Sequence, residues 1–245
     1  MSYRLILLRG LGRDQLHWQP LLEALHKTLP DWIIETPDIP GAGILYQQSA
    51  PLNLDDYIKP LEQQVSQSFD GTTVVLGLSL GGMLALTWAK QRPELFNRVI
   101  AVNSSSRLTT FYRRLLVYKV WKYPGALARW SMPIKENAIY HLTCNRRPMP
   151  EGLLKRWVDI QNRHPVSVVT QLRQIWAAFK FKPAPADQMP EVSIISSKSD
   201  RLVDYRCSVN LASHYKTEVI FHTWAGHDLP QDDPVWLAET LKSLF

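Results

Sequence analysis

Short apolar runs alternate with helical stripes along this chain. Leu5, Ile6, Leu7 and Leu8 form an unbroken apolar run that ends in Gly10-Leu11-Gly12. A run of that length, closed by glycine, predicts a strand covered on both faces and a tight turn after it. Leu16, Leu21, Leu22, Leu25 and Leu29 then recur at helical spacing until Pro30, so a helix is expected over 15–29. A second strand is expected over 33–37, closed by Pro40-Gly41-Ala42-Gly43. The next helix is expected over 54–69, entered through Asn53 or Asp55 as a cap. A short β-branched strand over 72–76 follows, then a helix from Gly81 to Gln91, stopped ahead of Pro93, and a strand over 98–102.

After Ser106 the pattern changes. Residues 107–182 show helical periodicity and no convincing strand. Leu153, Leu154, Trp157 and Ile160 make one apolar stripe; Val168, Leu172, Ile175, Trp176 and Phe179 make another. Pro183-Ala184-Pro185-Ala186 reads as a linker. Strand patterns resume over 192–195 and 218–224, with helices over 207–215 and 234–245. Strands that alternate with helices on both sides of the interruption predict an α/β fold, a mostly parallel sheet with helices on both faces. Its core is then residues 1–106 and 187–245, and residues 107–186 are a helical cap inserted over one edge.

Composition narrows the classes. Of 245 residues, 45% are hydrophobic and 20% charged, which excludes a disordered, collagenous or coiled-coil chain. Two cysteines, Cys144 and Cys207, are too few for a disulfide framework, and free thiols are expected. No apolar run approaches the length of a membrane span. The first residues read as a strand rather than a signal peptide, so the expected location is the cytoplasm.

The most informative stretch is Gly77-Leu78-Ser79-Leu80-Gly81-Gly82, between a strand and a helix. Gly-x-Ser-x-Gly in that context makes a sharp turn that exposes the serine hydroxyl at the carboxyl end of the sheet. The following helix aims N–H groups and its positive dipole end at developing negative charge, and the Leu80 N–H becomes an oxyanion donor. The plain alternative is a glycine-rich turn whose serine only caps the helix. A phosphate loop fits less well, because no Lys-Ser or Lys-Thr follows the glycines. A serine hydroxyl needs a base and an orienting acid, in the chain order Ser, Asp or Glu, His. Asp200 stands just past the strand over 192–195 and His227 just past the strand over 218–224. Among the competitors, Asp204 fits a helix cap, Asp228, Asp232 and Asp233 fit turn or cap positions, and His214 and His222 fit packed or surface sites.

These pieces together resemble the α/β-hydrolase superfamily, and the likeness covers nearly the whole chain. It is carried by Gly77-Leu78-Ser79-Leu80-Gly81-Gly82, Ser199-Asp200-Arg201-Leu202-Val203 and Ala225-Gly226-His227. The resemblance implies a serine hydrolase with Ser79, Asp200 and His227 as catalytic residues and no metal or organic cofactor. The family has a His-Gly-x segment after its first core strand; here it reads Arg9-Gly10-Leu11, which makes Leu11 the second oxyanion donor and puts arginine in place of histidine. The family's usual first two antiparallel strands have no counterpart. The chain also resembles the small capped esterases that include the pimeloyl carrier-protein methyl ester esterases of biotin synthesis. In those the cap binds the acyl chain and basic cap residues hold an acidic acyl carrier protein.

Charge is distributed unevenly. Between Arg107 and Lys182 there are 15 Lys and Arg against Glu136, Glu151 and Asp159; the segment is +12, which leaves −6 on the rest of a chain whose total is +6. Eleven of the 25 aromatics lie there too, including Trp121, Trp130, Trp157 and Trp176. Three readings stand beside one another: an ordinary lid with solvated cations; a dock for an acidic carrier, phosphate or coenzyme A group; a peripheral contact with an anionic membrane. Arg113, Arg114, Lys119, Lys122, Arg146 and Arg147 are the candidate cations. No nucleic-acid motif is present, so nucleic acid is not an expected partner. The expected activity is hydrolysis of a carboxylic ester. The alternatives are an acyl thioester, a lipid ester at a membrane, acyl transfer, carbon–carbon or cyanohydrin cleavage, and a non-catalytic receptor or scaffold with the same fold.

Overall fold

The computed structural model of the chain describes residues 2–66, 68–127 and 131–245. Trp130, one of the aromatics expected in the cap, lies outside the described residues.

One sheet organises the molecule. Its strands are β1 (Tyr3–Leu8), β2 (Trp32–Glu35), β3 (Thr72–Leu78), β4 (Arg98–Val102), β5 (Glu191–Ser197) and β6 (Val219–His222). They lie in the order β2-β1-β3-β4-β5-β6, and every neighbouring pair among the described residues is parallel. The chain therefore reverses its direction of travel across the sheet between β1 and β3, and ligands of open α/β sheets bind at such a switch point. Alternation along each strand feeds two cores. Ile6, Leu8, Val75, Val99, Ala101 and Ile194 point to one face; Leu5, Leu7, Val74, Leu76, Ile100, Val102 and Ile195 point to the other.

On the second face lie α1 (Gln19–Thr28) and α11 (Pro234–Lys242), through Leu21, Leu25, Leu237 and Leu241. The first face is covered by α2 (Ile58–Glu62), α3 (Leu80–Gln91) and α9 (Arg206–Tyr215). Between β4 and β5 run α4 (Phe111–Arg114), α5 (Val117–Val120), α6 (Met132–Thr143), α7 (Leu153–Arg163) and α8 (Val168–Lys180). A short α10 (Leu229–Asp232) follows β6.

Some boundaries differ from the expected ones for physical reasons. The helix expected over 15–29 starts as a 3-10 turn, Gln15–Trp18, capped by Asp14 and turning α with Pro20 in its first turn, the position that tolerates a missing N–H. The helix expected to reach Phe69 stops at Glu62. Beyond it, Gln64 donates to the Asp38 carbonyl, and Ser66 donates from both its amide and its hydroxyl to Glu35, so side-chain bonds draw the chain to β2 instead. Cys144 and Cys207 are buried free thiols.

Candidate active site

The β3–α3 turn is strained at one residue. Ser79 sits at φ 58° and ψ −116°, a region that costs a non-glycine residue about 1–3 kcal/mol. Its surroundings hold it there. The Ser79 N–H donates to the Val102 carbonyl at 2.8 Å, and its carbonyl accepts from Gly82 N at 3.0 Å and from the Ser104 hydroxyl at 2.8 Å. The flanking glycines are steric necessities. A Cβ on Gly77 would lie 2.0 Å from the Gly81 oxygen, and one on Gly81 would lie 2.1 Å from the Leu8 oxygen.

The loop after β1 crosses close to this turn. A Cβ on Gly10 would stand 3.3 Å from Ser79 Cβ and 3.9 Å from its Oγ. Leu11 follows Gly10, and Leu80 opens α3. Neither the Leu11 nor the Leu80 N–H is engaged by a protein acceptor among the described residues.

Asp200 and His227 meet directly. His227 Nδ1 lies 2.7 Å from Asp200 Oδ2, with both side chains buried. A carboxylate only accepts, so Nδ1 is the donor in this bond. The second carboxylate oxygen accepts from Leu202 N at 2.7 Å and Val203 N at 3.0 Å, which fixes the carboxylate plane. The Ser79 hydroxyl makes no hydrogen bond to the His227 ring among the described residues. In unliganded sites such contacts are often long and tighten when substrate binds.

What joins the two halves is Asn103, at the end of β4, with φ 47°. Its side-chain amide donates to the His227 carbonyl at 2.9 Å and the Gly226 carbonyl at 3.3 Å, while its Oδ1 accepts from Ser197 N at 2.7 Å. The preceding residue, Val102, holds the Ser79 amide. One strand end thus anchors both the serine turn and the histidine loop. Sequence reasoning missed Asn103; the signal was an Asn-Ser-Ser-Ser run directly after an apolar strand, at the rim where the site was already expected.

Arg9 settles the loop in which it replaces histidine. Its guanidinium grips Asp228 through two bonds, at 3.2 and 2.7 Å, and lies 4.7 Å over the Trp18 ring. Asp228 stands at the N-cap position of α10, as expected, but its side chain makes no capping bond and serves as a buried ion-pair partner. The pair ties the residue before Gly10 to the residue after His227. Asp232 also differs from expectation. It is buried and accepts from the amides of Gly226, Asn145 and Arg146 at 2.7, 2.7 and 2.9 Å, fastening the α6–α7 loop to the histidine loop. Burial holds its carboxyl above the usual range despite those donors. Asp233 and Asp204 cap as expected, through Trp236 N and Arg206 N. His222 is packed against Trp236 and Trp224, and His214 bonds the Ala184 carbonyl.

The expected cations are scattered. Arg113 and Lys119 are half-buried beside Tyr112 and Tyr118, Lys122 is exposed, and Arg146 and Arg147 are exposed on the loop that Asp232 holds. Arg114 is a correction to the candidate list. It is buried, and its guanidinium is spent on the carbonyls of Phe179 and Ala178 and on the Ser105 hydroxyl, so it faces no partner.

A further polar seam lies between the β1 loop and the segment before β5. Arg13 pairs with Glu136 at 2.6 Å and stacks 4.4 Å over Trp157; Gln174 accepts from Gly12 N at 2.9 Å; His164 meets Asp14 at 2.6 Å. His17 lies in the seam, and burial together with Arg13 and Arg9 holds its ring well below the usual imidazole range.

A model of the alpha/beta hydrolase family matches residues 5–240. The biotin biosynthesis bifunctional protein BioHC of Teredinibacter turnerae is 25% identical over 159 residues, 64% of this chain and 26% of that protein. The pimeloyl-[acyl-carrier protein] methyl ester esterase of Aliivibrio salmonicida is 26% identical over 183 residues, 74% of this chain and 60% of that one. The match thus spans a quarter to three-fifths of these relatives. Among solved structures, the 2-hydroxy-6-oxo-6-phenylhexa-2,4-dienoate hydrolase of a Rhodococcus species superposes with a TM-score of 0.72 at 18% identity, covering 99% of this chain and 90% of that one. At that identity the likeness is one of fold.

Proposed function

The chain belongs to the alpha/beta hydrolase family, and from that premise we propose that it is a serine-dependent hydrolase of carboxylic esters. Ser79 attacks the acyl carbonyl. His227 Nε2 takes the hydroxyl proton and returns one to the leaving alcohol. Asp200 holds the ring tautomer and stabilises the imidazolium. The Leu11 and Leu80 amides receive the oxyanion, and losing one such donor costs about 3 kcal/mol of barrier. Water activated by His227 then releases the acyl group. Residues 107–186 act as the cap over this site.

The observation that carries the reading is the 2.7 Å Asp200–His227 bond, made on a loop that Asn103 ties to the same strand end as the strained serine turn. A bond of that kind leaves Nε2 as the ring's second nitrogen for proton transfer and gives the ring a partner for its positive charge. A fluorophosphonate probe tests it. The native protein should label and Ser79→Ala should not; labelling that persists in Ser79→Ala overturns the nucleophile.

A carrier-bound acyl ester is the finer substrate reading. It is supported by the printed activity of the esterase relatives and by Arg146 and Arg147, which stand exposed on the loop fastened beside His227. Reversing both charges should raise the ratio of KM values, carrier-bound over small neutral ester, by about an order of magnitude or more. An unchanged ratio rules out docking at that pair and leaves an ester or thioester of a free acyl compound.

A further inference from the structure

Helix α8 is turned with its apolar stripe outward. The residues it buries are Thr170, Gln174 and Ala177, and Gln174 has 0% exposure. Leu172 is 61% exposed and Trp176 54%. Neighbouring α7 has the ordinary arrangement, with Leu153, Trp157 and Ile160 buried. The outward stripe of α8 is continuous with α4, because Phe111 meets Phe179 edge to face at 6.0 Å. Tyr112 on α4, Tyr118 on α5 and Trp121 directly after it are exposed as well, Trp121 to 71%. Arg114 staples the face together from beneath, bonding the Ala178 and Phe179 carbonyls and Ser105, next to the Ser104 that holds the Ser79 carbonyl. The face is therefore fixed to the rim of the candidate site.

The segments that form it carry charge of one sign. No carboxylate occurs between Arg107 and Glu136, or between Asp159 and Asp187, and Glu136 itself is buried against Arg13. Arg107, Arg113, Lys119, Lys122, Arg173 and Lys180 lie in or beside these acid-free stretches. No helix among the described residues is long and apolar enough to cross a membrane.

We propose that the face formed by α4, α5 and the outer side of α8 docks peripherally on an anionic lipid bilayer. Tyr and Trp rings with an apolar body and a polar tip settle at the headgroup boundary, and neighbouring cations add attraction to anionic lipid. An acidic partner that met only the cations would leave the outward stripe of α8 uncovered, whereas a bilayer boundary takes up both. This inference goes beyond the esterase reading and does not depend on it, because its test reads binding.

The test uses the full chain as Ser79→Ala, so that no lipid is hydrolysed. Co-sedimentation and tryptophan emission are followed with vesicles of phosphatidylcholine and of phosphatidylcholine mixed with phosphatidylglycerol. Expected are binding and a blue shift with the anionic vesicles, little with the neutral ones, and release at high salt. Lys119→Glu with Lys122→Glu should weaken binding about fivefold for each cation lost. Trp121→Ser with Trp176→Ser should weaken it through the apolar contact, and unchanged circular dichroism establishes that both variants fold. Failure to bind anionic vesicles, or binding indifferent to both pairs of substitutions, overturns the proposal. So does binding of a purified acidic acyl carrier protein that the same substitutions abolish while vesicles bind nothing.

Discussion

The sheet and the helical segment between β4 and β5 are buried by different means. In the sheet, side chains alternate by twos into two apolar cores, and the site sits where strands end. In the helical segment, much of what faces the rest of the protein is polar: Glu136, Gln161, Thr170 and Gln174 are all buried. Glu136, Gln161 and Gln174 bond the β1 loop, while an apolar stripe faces outward. An apolar pattern marks the buried face where the chain itself supplies the cover, as in the sheet. Where polar bonds attach an element, the same pattern can mark the face presented to something else.

If the chemistry resides at the sheet's rim, the largest effect should come from there. Asp200→Asn leaves the shape but offers the wrong partner to His227 Nδ1–H, and kcat on a small p-nitrophenyl ester should fall about ten-thousandfold. A loss of only a few fold would mean that His227 takes its orientation from Asn103 and the loop contacts alone.

The polar seam should come next. Glu136→Ala leaves the Arg13 guanidinium buried and unpaired, and such a break costs about 3–5 kcal/mol. The urea midpoint should drop accordingly. Replacing Arg13 and Glu136 together by apolar residues of similar size should recover most of the loss, because neither charge is then stranded. If Glu136→Ala is neutral, the seam does not hold the segment to the β1 loop.

How legible each region was in the sequence follows from the same difference. The strands, their covering on both faces and the serine turn come from patterns within a few residues: apolar runs, glycine punctuation, Gly-x-Ser-x-Gly between strand and helix. Asp200 and His227 were found by their place after two strands. Asn103 bonds residues 123 and 124 positions away, Arg9 bonds Asp228 219 positions away, and Asp232 bonds Asn145 and Arg146 87 and 86 positions away, and no local pattern encodes such pairs. The stripe Val168, Leu172, Ile175, Trp176 and Phe179 was visible as a stripe, but periodicity does not say which way a helix turns. Arg114 looked like one more surface cation because the carbonyls that bury it, at Ala178 and Phe179, belong to a distant helix.

Acid should open the seam before it opens the sheet. In the unfolded chain the His17 ring titrates near its ordinary value of 6.5, whereas in the fold it stays neutral to well below that. As pH falls through 6.5 the unfolded chain takes up a proton that the fold refuses. Stability contributed by the neutral ring is present above 6.5 and is lost on acidification, by up to about 1.4 kcal/mol per pH unit. His17→Gln should flatten this part of the slope when urea midpoints are compared between pH 7 and pH 5. An identical slope in the variant would place the acid sensitivity elsewhere.

The smallest expected effect gives the comparison its sharpest form. Leu172 and Ile160 are both apolar residues in helices of the same segment, read from the sequence as members of equivalent stripes. Ile160 is buried on α7, so Ile160→Ala removes packed methylenes and should cost about 2–5 kcal/mol. Leu172 faces outward on α8, so Leu172→Ser removes a side chain that nothing covers and should change stability by less than about 0.5 kcal/mol. Urea midpoints of the two variants measure the difference directly. Equal losses would mean that both stripes are core. Gln174, on the other side of α8, would then have to lose its bond from Gly12. Hydrogen exchange at the Gly12 amide separates the two arrangements, since it is protected only while Gln174 faces inward.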